Sequence, residues 1–123
     1  MRPALFALIL AAAGAAPAAD RAPQATAAGK LESCIPLRGI RETKVRDDRT
    51  IDFIMSGKRV YRNTLPGGGC PQLGFERRFS YATSLSQLCS TDIITVLTAS
   101  PPMRGASCGL GQFQPVTLVD AAK

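Results

Sequence analysis

Four cysteines, a scatter of carboxylates and a run of three glycines are the groups in this chain that could do chemistry. The cysteines, Cys34, Cys70, Cys89 and Cys108, lie 36, 19 and 19 residues apart, and the 123 residues contain no histidine. Structural metal sites use close cysteine pairs and histidine, so no metal and no cofactor are expected. Thiol catalysis needs a thiolate with an activating neighbour. An even cysteine count in a small exported domain points instead to two disulfides. The absence of histidine also removes the commonest general base and every Ser-His-Asp triad. Ser84, Ser86 and Ser90 have neither an S-x-x-K nor a G-x-S-x-G context.

Carboxylates that could act as acid or base include Glu42, Asp47, Asp48, Asp52, Glu76 and Asp92. Asp47-Asp48 falls where a hairpin turn is expected, a place aspartate takes for backbone reasons. Asp92 precedes an apolar run and reads as a turn or cap residue. Glu42 and Asp52 stand among arginines and lysines, which favours ion pairing across a hairpin. A carboxylate-dependent enzyme is therefore the second reading. It requires two of these groups to share one concave pocket.

The stretch Leu65-Pro66-Gly67-Gly68-Gly69-Cys70-Pro71-Gln72-Leu73-Gly74 lacks the lysine and following helix of a phosphate-binding loop. Its backbone amides could form an anion nest. The plainer expectation is that the glycines let the chain turn sharply and carry Cys70 to its partner. A basic face is the remaining candidate: Lys58, Arg59, Arg62, Arg77 and Arg78 converge if the third and fourth strands are neighbours, with Tyr61 and Tyr81 beside them. Small barrels bind nucleic acids or sugars with such faces. Yet residues 32–62 carry eight basic and five acidic side chains, a mixture that an ordinary solvated surface also explains.

The elements that must position these groups are short strands. The chain opens with one arginine and a brief apolar run, Leu5 to Ala13, ending in Ala16-Pro17-Ala18. That is the layout of a secretory signal over 1–18, and the run is too short to span a bilayer. Residues 19–30 are small and polar and are expected to form a flexible leader. One domain over 31–123 follows. The formal charge is +6, which suits phosphate- or carboxylate-bearing partners.

Leu37 to Arg46, Thr50 to Met55 and Arg59 to Leu65 read as a three-stranded meander. In its middle strand Ile51, Phe53 and Met55 alternate with Thr50 and Asp52, the mark of a half-buried strand. Phe75 to Tyr81 is a fourth strand, although Arg77 falls on its aromatic face. Ile93 to Leu97 is continuously apolar and fits a strand covered on both sides. Ala99 to Ser107 is a loop, and Leu110 to Val119 a last strand that Pro115 should confine to an edge or a bulge. The expected fold is mainly β, a small antiparallel barrel (or sandwich) of about six short strands held by two disulfides. Spacing alone leaves three connectivities open. Cys34–Cys108 with Cys70–Cys89 is preferred, because terminal strands of a closed sheet are often neighbours.

Several stretches together resemble a family of small exported bacterial proteins of unknown function with four cysteines. They are Cys34-Ile35, Asp48 to Phe53, Tyr61 to Leu65, Cys70-Pro71, Phe79, Leu88 to Asp92, Cys108 to Gly111, Phe113 and Pro115 to Thr117. The likeness spans about 34 to 117. It implies a common fold and a periplasmic or secreted location, and it carries no activity. The expected role is binding rather than catalysis, with an anionic envelope component or another periplasmic protein as partner. A third reading is a secreted inhibitor that uses the 99–107 loop and an exposed Met103.

Overall fold

The computed structural model describes residues 22–83, 85–101 and 103–119. The expected signal segment, Ser84 and Pro102 lie outside them. The described chain is mainly β, with ten strands in three antiparallel sheets. The strands are β1 (Ala25–Ala27), β2 (Cys34–Pro36), β3 (Ile40–Val45), β4 (Thr50–Met55), β5 (Val60–Thr64), β6 (Phe79–Tyr81), β7 (Gln87–Cys89), β8 (Ile93–Leu97), β9 (Arg104–Gly109) and β10 (Phe113–Leu118). One short helix, α1 (Leu73–Glu76), precedes β6. Among the described residues no helix is long and apolar enough to cross a membrane.

The largest sheet has the order β1-β10-β5-β4-β3. Its β3-β4-β5 part is the expected meander. The β4–β5 hairpin turns at Ser56–Lys58, where Gly57 and Lys58 both take positive φ, 80° and 66°. A second sheet is the pair β2-β7, and the third has the order β6-β8-β9. The sheets do not close on one another, so the expected barrel is corrected: three open sheets share one core. Phe53 lies at its centre, edge-on to Phe113 at 5.5 Å and to Phe79 at 6.4 Å. Ile35, Leu88, Ile94 and Val96 bring the two smaller sheets onto the same cluster.

Four departures from the sequence reading have physical causes. First, Ala25–Ala27, expected in a flexible leader outside the 31–123 domain, is an edge strand paired with β10. Strand pairing uses backbone groups, so it needs no large apolar side chain. Second, β10 is not an edge strand, because β5 pairs with its other side. Pro115 is tolerated because it lies just beyond the last β1 pair, where Ala28 N–H donates to the Pro115 carbonyl (2.8 Å) and Gly29 passes close to the ring. Third, Phe75 to Tyr81 is not one strand. Arg77 takes a left-handed φ of 60° and ends α1, and only Phe79–Tyr81 is extended. A continuous strand would have turned Arg77 onto the aromatic face. The break leaves Phe75 83% exposed and Arg77 exposed as well. Fourth, β8 buries only one face fully, and Ile93 is exposed.

The disulfides are Cys34–Cys89 and Cys70–Cys108, so the preferred connectivity is overturned. Cys34 stands directly opposite Cys89 in the β2–β7 register. Cys108 belongs to β9, in a different sheet from β2. The argument from neighbouring terminal strands failed because neither cysteine lies on a terminal strand: β1 precedes Cys34 and β10 follows Cys108.

The glycine stretch acts as a turn. Gly67, Gly68 and Gly69 have φ of 75°, 91° and 108°, a region side chains disfavour. The loop folds over the β3–β4 turn, where Leu65 N–H donates to the Arg49 carbonyl and Cys70 N–H to the Asp48 carbonyl, each at 2.7 Å. Cys70, fully buried, then reaches Cys108.

Candidate functional site

The β4–β5 hairpin tip and the segment after β1 face each other across the end of β10. The chain leaves β1 at Ala27, rounds Pro115, and returns at Glu32, whose backbone exchanges two 2.8 Å hydrogen bonds with Phe113. The Gln114 side chain holds the intervening bend by donating from Nε2 to the Gly29 carbonyl at 2.8 Å. This leaves a groove of about 640 Å³ between the bend and the hairpin.

Lys30, Lys58, Arg59, Glu32, Tyr61 and Thr117 are its polar lining. The Arg59 guanidinium lies 5.9 Å from the centre of the Tyr61 ring, within cation–π range. The Tyr61 hydroxyl donates to Glu32 Oε2 at 3.4 Å, a long bond. The groove's one carboxylate is thus turned toward the tyrosine, and three exposed cations remain.

Of the five basic residues the sequence singled out, only Lys58 and Arg59 meet in this groove. The third and fourth strands of the sequence reading, β5 and β6, lie in different sheets, so the five do not form one face. Arg62 is held by Asp52, a fully buried carboxylate on β4. Arg62 Nε donates to Asp52 Oδ1 at 2.8 Å and Nη2 to Oδ2 at 2.9 Å, while Arg46 Nε donates to Oδ2 at 2.8 Å. The hydrogen bonds to Asp52 raise the Arg62 pKa above its ordinary value, against the lowering effect of burial. Arg77 borders a separate depression, and Arg78 lies 3.9 Å from Glu76. Tyr81 is on β6, away from the β5 hairpin that carries Tyr61. Lys30 was missed because it falls in the supposed leader; nothing in its local sequence says that β1 would bring it back to β10.

The carboxylates serve the backbone and the arginines. Asp47 Oδ1 accepts from Arg49 N–H at 2.9 Å, Asp48 Oδ1 from Gly74 N–H at 2.7 Å, and Asp92 Oδ2 from Cys89 N–H at 2.7 Å. Glu42 faces Ile54 rather than Asp52, whose cross-strand neighbour on β3 is Lys44. Asp47 and Asp48 do share a depression with Arg49 and Arg77, but one oxygen of each accepts a backbone N–H, from Arg49 and from Gly74 of α1. Met103 is 55% exposed, at a positive φ of 73°. Compared with known protein families, with curated proteins and with solved structures, the chain matches none of them.

Proposed function

We propose that this protein is an exported, disulfide-stapled β-module that binds an anionic component of the bacterial envelope through the groove at the end of β10. The observation that carries this reading is the convergence of Lys30, Lys58 and Arg59 on one concave surface whose lone carboxylate faces Tyr61. Clustered cations in a cleft raise the local concentration of anions and speed their capture. The signal-like start and the four-cysteine resemblance support a periplasmic or secreted setting, as do the two disulfides. Binding over turnover is supported by Asp47, Asp48 and Asp92 each giving one oxygen to a backbone amide, and by Asp52 being held by Arg46 and Arg62.

The test is retention of the purified domain on heparin or on vesicles containing anionic lipid. Retention should fall with salt and weaken further in a Lys58→Ala, Arg59→Ala double variant. Retention indifferent to salt and to both substitutions removes the reading. Arg62 is unsuited to this test, because its loss would leave Asp52 buried beside one remaining cation. A second reading, docking of another periplasmic protein on the loop before β9, is favoured by one observation, the exposed Met103.

A further inference from the structure

A second depression, of about 660 Å³, lies at the other end of β4 from the groove. The β3–β4 turn, the glycine loop and α1 build it, and Asp47, Asp48, Arg49, Gly68, Phe75 and Arg77 line it. Phe75 is 83% exposed, more than any other large apolar side chain among the described residues. Each helical residue turns about 100° from the last, so the fully buried Leu73 sends Phe75 to the far side of α1. Packing therefore makes position 75 face water, but it gives no reason for an aromatic there. An aromatic ring that lines a concavity together with a few polar groups is the make-up of a small-ligand site. The walls of this one are tied together. The Asp48 carbonyl accepts from Cys70 N–H and its Oδ1 from Gly74 N–H, both at 2.7 Å, and Cys70 is bridged to Cys108. A site held in shape in this way loses little freedom when it binds.

We infer that this depression binds a neutral hexopyranose unit of a glycan chain. Phe75 stacks on the C–H face of the sugar, and the charged side chains take its hydroxyls. Asp47 and Asp48 balance Arg49 and Arg77, so the lining has no net charge. No ion pair among the described residues joins any of the four. Oδ1 of each aspartate accepts a backbone N–H, which leaves Oδ2 to accept from a ligand. Arg77 Nε donates to the Gly74 carbonyl at 3.2 Å, which leaves its two terminal nitrogens to donate. A hydroxyl both donates and accepts, so a ring of adjacent hydroxyls matches carboxylates and guanidinium groups set side by side. Other ligand classes fit less well. An anion would meet as many carboxylates as cations. An alkyl chain would cover charged groups without hydrogen-bonding them, at a cost in desolvation. The C–H face of a pyranose complements an exposed phenyl ring, and stacking removes both from water. The inference does not rest on the anion-binding reading, which concerns residues at the opposite end of β4.

The experiment is an NMR titration of the folded protein with neutral mono- and trisaccharides of gluco, galacto, manno and N-acetylglucosamine configuration. Amide resonances of Gly68, Gly74, Phe75 and Arg77 should shift with at least one of them, and those of Lys58 and Arg59 should not. The affinity should be equal in low and high salt, because the ligand carries no charge to screen. Phe75→Ala should weaken binding about tenfold, and Phe75→Trp should retain it. Both change an exposed side chain, so the melting temperature should hold. Arg77→Gly keeps the left-handed φ of 60° without steric cost and removes the guanidinium. It should weaken binding several-fold with no loss of stability. The absence of shifts with every sugar overturns the inference, and so does an affinity unchanged in Phe75→Ala. Binding that falls with salt and is lost in the Lys58→Ala, Arg59→Ala double variant places the ligand in the groove and also overturns it. Each of these failures leaves salt-dependent retention on heparin as a separate question, answered by the groove variants alone.

Discussion

Asp52 and Arg62 face each other across β4 and β5 and are joined by two parallel hydrogen bonds, at 2.8 and 2.9 Å. The Asp52 side chain has no exposure, while the Arg46 and Arg62 side chains that flank it keep 19% and 16%. A carboxylate out of water needs such partners, because its desolvation is not offset otherwise. Asp52→Asn keeps the shape and removes the charge. It should cost about 2–4 kcal/mol in urea unfolding, below the upper range for broken buried pairs because both guanidinium groups still reach water. Arg62→Ala should cost more than Arg46→Ala, since Arg62 supplies two of the three bonds. The raised Arg62 pKa gives the sign of the pH effect. Its stabilisation is complete below the ordinary arginine pKa and is lost only as pH climbs through the raised value. The Arg62 contribution should therefore be constant across neutral and moderately alkaline pH.

Gly111 and Asn63 form a second buried polar pair. Asn63 Nδ2 donates to the Gly111 carbonyl at 2.7 Å, and Gly111 N–H donates to Asn63 Oδ1 at 2.8 Å. A Cβ at Gly111 would press into the Thr64 carbonyl oxygen, so Gly111→Ala should lose about 1–3 kcal/mol. Asn63→Ala leaves one backbone donor and one acceptor without partners, and about 2–4 kcal/mol is expected. Equilibrium unfolding of the two variants tests both figures.

Lys58 separates stability from binding. It holds a left-handed φ of 66°, which costs a side-chain-bearing residue about 1–2 kcal/mol. Lys58→Gly relieves that cost and gives part of it back in chain entropy. The melting temperature should stay level or rise, while retention on an anionic matrix falls. A loss of both together would mean that Lys58 makes a structural contact.

The two bridges close loops of 55 and 38 residues, each stabilising by roughly 4 kcal/mol as an upper figure. Non-reducing peptide maps should yield the Cys34–Cys89 and Cys70–Cys108 peptides. Replacing either pair by serine should lower the urea midpoint markedly.

The sequence by itself determined what depends on neighbours along the chain. Alternation in Thr50 to Met55 settled β4 and the face that meets the core, though not that Thr50 and Asp52 on its other face are buried as well. Gly57 settled the hairpin, and Gly67 to Gly69 a turn that carries Cys70 inward. Four cysteines without histidine meant two bridges. Only the tertiary structure decided what depends on partners far away. Backbone pairing does not care about side-chain type, so β1 and the return of Lys30 to β10 left no local trace. Cysteine connectivity follows strand register: Cys34 faces Cys89 because β2 pairs with β7, a match between residues 55 positions apart. The basic residues read as one face were divided for the same reason. Arg62 was drawn to a buried carboxylate and Arg77 and Arg78 fell outside the large sheet, while Lys58 and Arg59 were left at a hairpin tip beside a groove that three distant segments build.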